Sequence, residues 1–326
     1  MSGMTTTNSD VLIRSEIWST QLKETLKDTL DATKYVNWVD FPDGNTMTIP
    51  SIGDLDAYDY TEDSAIEYTP MALGEFQFTI NEYLASATYI TNKARQDLFY
   101  ASQLEARFLP GQARAIMVEV EGHVLQTGQP GFDTNGNVQT AGNQNQINGA
   151  DHRWVGSDTA NSNRTVGMKD FAKARHSLKK ANVPDTNLIA IVDPAFEYYF
   201  NTQAGFLDVS YNPMWEGIVE DGVATGMRFS RNIYGFDVYI SNYLPTGFSE
   251  TINSVASGAD ATASLFFSAE QSISPWMGAW RQMPRVDGSY NKDRQREEYI
   301  TTARYDTALY RPENLITVLG STDIIV

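Results

Sequence analysis

The chain has no cysteine among its 326 residues. That excludes disulfides, thiol nucleophiles and thiolate metal sites, and leaves packing and oligomerisation as sources of stability. Histidine is nearly as scarce. His123, His152 and His176 lie far apart and form no His-x-x-x-His pair, so no metal site is expected. The phosphate-binding glycine loop, the dinucleotide glycine pattern and the Gly-x-Ser-x-Gly elbow are also missing. Asp133-Thr134-Asn135-Gly136-Asn137 opens like a calcium loop, but Val138 stands where the turn glycine belongs and Gln144 where the bidentate glutamate belongs. Abundant carboxylates permit a glycosidase-like pair, yet nothing in the sequence sets two of them at the required separation. The expectation is a protein without catalytic residues, cofactor or metal.

Long hydrophobic runs are lacking too. None approaches the roughly 20 residues that a membrane-crossing helix needs, although 41% hydrophobic residues suffice for a substantial core. Basic charge is the scarcer sign, with 24 Lys and Arg against 41 Asp and Glu, for a net charge of -17. Phosphate backbones are held by clustered Lys and Arg, so general nucleic-acid binding is disfavoured. The acidity suits plain solubility first, and is compatible with a container whose genome must slide freely against the inside. Met1 to Asp10 is polar, with no basic start followed by an apolar stretch, which argues against a secretory signal and for a protein that stays in the cytosol.

Local patterns give the order of elements. Val11 to Thr33 carries Trp18, Leu22, Leu26 and Leu30 on one stripe and predicts an amphipathic helix. A turn at Phe41–Asn45 precedes the alternating Thr46-Met47-Thr48-Ile49, which is answered by Phe76, Phe78 and Ile80, so two strands flank an excursion from Ser51 to Leu73. That excursion holds Asp54, Asp56, Asp59, Glu62, Asp63 and Glu67, and no Lys or Arg occurs between Lys34 and Lys93. Its Ile52, Leu55, Tyr58, Tyr60, Ile66 and Tyr68 favour extension onto another molecule over disorder.

Thr91 to Arg107 reads as a helix, and Pro110 suits the first position of a second one running to Gly128 with Ala113, Ile116, Met117, Val120 and Val124 on one face. Residues 129–167, rich in Gly, Asn, Gln and Thr, read as an exposed insertion with little core. Met168 to Ala181 predicts a helix, broken at Asn182-Val183-Pro184-Asp185 before a buried strand Leu188–Val192. Lys169, Lys173, Arg175, Lys179 and Lys180 make this helix basic, as a solvated face or as a contact for DNA or a scaffold. His123, beside Glu119 and Glu121, reads as a plain surface group. Phe236–Ser241 and Ser264–Ser268 are further strands, and a mixed α+β domain follows.

The last stretch, from Trp280, is strand-like and closes on Tyr310-Arg311-Pro312-Glu313-Asn314 and the apolar Leu315–Leu319. It contains the densest basic run: Arg281, Arg285, Lys292, Arg294, Arg296 and Arg304. These residues fit two arrangements equally, a counterpart for the acidic excursion of a neighbouring chain, or a solvated strand face paired with Asp287, Asp293, Glu297 and Glu298.

The order of amphipathic arm, anionic excursion, long helix from Pro110, Asn182-Val183-Pro184 leading into Ile189–Pro194, Tyr234–Ser241 and the closing strands resembles the Hong Kong 97-type major capsid protein of tailed phages, over nearly the whole chain. The resemblance implies an α+β capsid fold. Its parts would be an N-terminal arm (1–40), an extended E-loop hairpin (41–90), a peripheral domain with a long spine helix (91–185, with an inserted loop at 129–167), a mixed-sheet axial domain (186–280) and return strands of the peripheral domain (281–326). It implies hexamers and pentamers of this chain forming an icosahedral shell around double-stranded DNA, assembled in the host cytoplasm and found in the virion. The E-loop residues Ile52 to Tyr68 would lie on a neighbour, and Trp18, Leu22 and Leu26 would pack the arm. Portal, a scaffolding protein and a decoration protein are the implied partners; no membrane is. The chain departs from the family in two ways. The excursion has no lysine, so isopeptide cross-links are not expected, and no long charged helical pro-segment precedes the arm, so scaffolding is separate or a pro-region is absent. Competing classes are an encapsulin-like compartment with enzyme cargo and a carbohydrate-active or binding protein.

Overall fold

The computed structural model describes residues 32–40, 44, 46–52, 57, 59, 61–63, 65, 73–97, 101–127, 146–160, 163–202 and 232–322. The helix expected over Val11 to Thr33, with Trp18, Leu22 and Leu26, lies outside them except for its last positions, which enter a 3-10 turn at Ala32–Tyr35. Strands β1 (Asn37–Asp40), β2 (Thr46–Ile52), β3 (Leu73–Thr79) and β4 (Glu82–Thr91) lead to helices α1 (Asn92–Asp97) and α2 (Ala101–Thr127). Short strands follow: β5 (Gln146–Ile147), β6 (Ala150–Asp151), β7 (Arg153–Val155), β8 (Asp158–Ala160) and β9 (Asn163–Thr165). Then come α3 (Met168–Lys180), β10 (Leu188–Val192), α4 (Pro194–Thr202), β11 (Asn232–Ile233), β12 (Phe236–Ile240), β13 (Thr251–Ile252), β14 (Val255–Ala256) and β15 (Ala261–Ser268). The chain closes with β16 (Trp276–Asn291), β17 (Arg296–Leu309) and β18 (Leu315–Ser321).

Two mixed sheets organise these elements, one in the order β1-β16-β17-β4 and one in the order β11-β12-β10-β15-β18-β7. β10 reads as an unbroken apolar run because both of its faces are covered. Leu188, Ala190 and Val192 meet Phe171, Ala174 and Leu178 of α3, while Ile189 and Ile191 join the cluster of Ile116, Val120, Val124 and Leu125 from α2. That second cluster also holds Trp276, Ala303 and Tyr305, so α2 serves both sheets.

Helix α2 runs through Pro110, which therefore does not open a new helix. The buried stripe from Ile116 to Leu125 supplies tertiary packing along the helix, and this outweighs the roughly 3 kcal/mol cost of an internal proline. The expected exposed insertion is also corrected from residue 146 onward. β7 pairs in parallel with β18, and Trp154, Val155 and Val166 are buried. Buried Asp170 organises this region, accepting hydrogen bonds from Trp154 Nε1 (2.9 Å), Ser157 N (2.9 Å) and Gly167 N (2.8 Å). It also occupies the third position of α3, where a carboxylate that reaches back to the cap satisfies an orphan N–H.

The helix-breaking Asn182 takes φ of 62°, the left-handed conformation that ends helices, just before Pro184. At the far end of β10, Asp193 accepts a bond from Ala195 N (2.9 Å) and caps α4, whose first residue is Pro194. The crossing from the first sheet to the second is fixed by buried Asn314. It accepts from Ser268 N (2.9 Å) and donates to Ser268 O (2.8 Å) and Ile273 O (2.7 Å). The N-terminal entry is fixed by Glu121, fully buried on α2, which accepts from Ala32 N (2.7 Å) and Thr33 N (3.0 Å). Beyond it, β1 runs parallel to β16 with Trp38 opposite Gly278, and the Trp38 and Trp280 rings stack with centroids 4.9 Å apart.

Gly278 is needed there, because a Cβ would lie 2.6 Å from Trp38 Cζ3 and 2.9 Å from Val36 Cγ1. Gly278→Ala is expected to lower stability by about 1–3 kcal/mol. Gly288→Ala, whose Cβ would meet only the Tyr299 ring at 3.6 Å, should stay within about 0.5 kcal/mol of the parent; denaturant midpoints of the two variants provide the check. Burial holds the Asp193 carboxyl above its ordinary value, against the bond from Ala195. The folded state therefore keeps this proton longer than the unfolded chain, and its contribution to stability is lost as pH rises through the folded pKa. Asp193→Asn preserves the cap, and its stability against pH should be flatter than the parent's above the ordinary aspartate value of 3.8; superimposable curves would contradict this.

Candidate functional site

The two strands read on either side of the excursion form a hairpin, with β2 antiparallel to β3 from Thr46 opposite Thr79 to Ile52 opposite Leu73. Alternation sends Met47, Ile49, Phe76 and Phe78 to one side, where they pack with Ile80 on Met277, Ala279, Ala308 and Tyr310. The Phe76 ring meets Tyr310 edge-on at 5.1 Å. The hairpin is thus rooted on the first sheet. At its base Asp306 accepts from Asn81 N (3.0 Å) and Thr307 N (2.7 Å). Ile52 ends β2 and Asp59 is exposed, whereas Asp54, Leu55, Asp56, Tyr58, Tyr60, Ile66 and Tyr68 lie outside the described residues.

The first sheet has one face against α2. Thr301, Ala303, Tyr305 and Thr307 are buried on it, with Thr301 Oγ1 donating to Gln112 Oε1 (2.9 Å). By strand alternation the other face carries Glu298, Ile300, Thr302 and Arg304 of β17, opposite Tyr89, Ala87, Ala85 and Tyr83 of β4. Tyr83 is 61% and Tyr89 56% exposed, and the long hairpin of β16 and β17 adds Met283 (69%), Val286, Tyr290 and Ile300. Sequence reasoning missed this apolar set. Its signal was present in β4, where aromatic residues occupy positions that pattern alone assigns to solvent.

The basic candidates divide. Arg296 is engaged within its own sheet, its Nε 2.6 Å from Glu298 and its guanidinium 4.2 Å over the Tyr89 ring. The hydrogen bond from Arg296 holds Glu298 below its usual range. Arg285 pairs with Asp287 at 3.1 Å in a largely exposed contact of small energetic weight. These two follow the solvated-strand arrangement. Lys292 and Arg294 stand at the exposed turn between β16 and β17, where Asn291 Oδ1 accepts from Asp293 N and Arg294 N. Arg281 is exposed and Arg304 is partly buried on the open face.

The basic helix α3 is partly paired locally. Lys173 pairs with Asp151 (2.7 Å) and covers Trp154, Arg175 and Lys179 share Asp185, and Lys180 donates to Gly149 O. The hydrogen bond from Arg175, then that from Lys179, lowers the Asp185 pKa. Lys173, Arg175 and Lys179 thus follow the solvated-face arrangement. His123 is more than a surface group, since it is half-buried, lies 3.3 Å from Thr307 Oγ1 and meets Tyr305 edge-on. His152 is buried between the carbonyls of Ala150 and Glu313, and His176 is exposed. Among the described residues no three His, Asp or Glu side chains are grouped to hold a metal, and no described helix is long and apolar enough to cross a membrane.

No protein-family model matches the chain, and no curated protein matches it. Solved structures do. A chain from the capsid structure of the cyanophage P-SCSP1u superposes with a TM-score of 0.70 at 12% identity, over 98% of this chain and 95% of that one. The mature capsid of bacteriophage PhiM1 gives 0.67 at 11% identity, covering 97% and 95%. A chain of Mycobacterium phage Che8 gives 0.66 at 14%, covering 94% and 98%. Sequence likeness at this level carries no family assignment, but the superposition runs end to end: this chain has the mixed α+β fold seen in phage capsid structures.

Proposed function

We propose that the chain is the major capsid subunit of a tailed phage, assembling with copies of itself into the hexamers and pentamers of an icosahedral shell around double-stranded DNA. One observation carries this reading: the near-complete overlap, in both directions, with chains of phage capsid structures. In this reading the β2–β3 hairpin and the excursion it supports form the E-loop, α2 is the spine of a peripheral unit built on the first sheet, and the second sheet is the axial unit. The proposed divisions stay at 1–40, 41–90, 91–185, 186–280 and 281–326, with β7 and β18 contributing their strands to the second sheet. The N-terminal residues Trp18, Leu22 and Leu26 would form the packing stripe of the arm, and portal, scaffolding and decoration proteins would be partners of the assembled shell.

The E-loop residues Ile52, Asp54, Leu55, Asp56, Tyr58, Asp59, Tyr60, Ile66 and Tyr68 would lie on an adjacent subunit. The open face around Tyr83, Tyr89 and Arg304, with Arg281, suits such a partner, since aromatic and arginine side chains dominate the energetics of protein interfaces. An acidic strand pair laid near these arginines gains rate and register from charge, and affinity from the apolar residues between the charges. Without lysine in the loop, cohesion rests on the sum of many non-covalent contacts.

The triple variant Asp54→Lys, Asp56→Lys, Asp59→Lys is expected to fold with parental circular dichroism and to form no shells in negative-stain microscopy and sedimentation. Normal particles from it would remove these carboxylates from the interface. A small monodisperse parent chain, both alone and with a scaffolding protein, would overturn the capsid reading itself.

A further inference from the structure

A cavity of about 340 Å³ opens where α2, the start of β4, β17 and the loop after β12 converge. Its walls include Glu82, Leu84, Glu119, His123, Tyr243 and Tyr305, and no Lys or Arg lines it. Glu82 and Glu119 make no ion pair with any described residue. Tyr305 supplies an independent indication. It is 1% exposed, yet its hydroxyl has no hydrogen-bond partner among the described residues, and the ring lines the cavity. Burial first, then the charges of Glu82, Asp306 and Glu119, push its ionisation far above the ordinary tyrosine value. Its hydroxyl therefore offers a hydrogen-bonding group that no described residue uses.

The chemistry of the walls restricts what can bind. Anions are repelled by the carboxylates. The described residues offer no three-ligand set for a metal ion. The aliphatic and aromatic surface of Leu84, Tyr243 and Pro245 suits a hydrocarbon stem, the ring faces suit a cation, and the volume falls at the lower end of small-ligand sites. We propose that this cavity binds an alkylammonium or alkylguanidinium group, its charge held between Glu82 and Glu119 and a donor N–H directed at the Tyr305 hydroxyl. That group can come from a free diamine-type cation or from a Lys or Arg side chain of an adjacent copy.

Agmatine, which carries both head groups on a short stem, is the probe. Calorimetric titration of the full chain is expected to show one saturable site at constant ionic strength. Glu119→Gln should weaken it about tenfold, and Glu82→Gln with Glu119→Gln should weaken it further, while 1,5-pentanediol should give no saturable heat. Circular dichroism of both variants verifies that they fold, and Glu119, being exposed on α2, is the safer substitution. Equal affinity of parent and variants, or no binding by the parent, overturns the proposal. These measurements on unassembled chain do not depend on the shell reading. If shells form, sites that still take up agmatine identify free cations as the occupant, and sites that close on assembly identify a side chain of a neighbouring copy.

Discussion

The architecture depends on one face of one helix. Ile116, Val120, Val124 and Leu125 of α2 pack at once on Ala303 and Tyr305 of the first sheet and on Ile189, Ile191, Leu265 and Phe267 of the second. Neither sheet closes its core without this stripe, and the buried Glu121 on the same helix fixes where the N-terminal segment enters. Burying a carboxylate is expensive unless donors surround it, so the backbone N–H groups of Ala32 and Thr33 act as a positional lock. The position of Ala32 and Thr33 and the junction of the two sheets are therefore set by adjacent residues of α2.

Much of this was legible in the sequence where local period decides structure. β10, α3 and the β2–β3 hairpin follow from an apolar run, a 3.6-residue stripe and a two-residue alternation, each ended by its own breaker, such as Asn182 with Pro184. Long-range events were not legible. Nothing around Arg153–Val155 announces a parallel pairing with Thr317–Leu319, because three residues carry too little pattern to outweigh the Gly- and Asn-rich text around them. Pro110 misled because its local preference is real and is overridden only by packing of residues further along α2. The candidate site divides in the same manner. Acidity and aromatic content of the excursion can be read directly, whereas the pairing of Arg296 with Glu298 and Tyr89 depends on cross-strand register.

The distribution of charge also acquires a structural meaning. On α3, Lys173, Arg175 and Lys179 are met by Asp151 and Asp185. Carboxylates without Lys or Arg beside them occur in the sequence of the excursion and, among the described residues, at Glu82 and Glu119 of the cavity beside α2. A protein with no cysteine and a net charge of -17 has no disulfides to hold it together and relies on packing inside.

β4 continues the chain directly from the hairpin root to α1, and it is laddered to β17 from Glu82 opposite Tyr305 to Thr91 opposite Arg296. A tensile load on the excursion would run along the axis of β4, so the interstrand bonds across this span would be strained together in shear instead of opening one after another from an end. The mechanical stiffness of the hairpin's attachment is thereby set by the length of a strand, and the energy of any single contact far from it hardly enters.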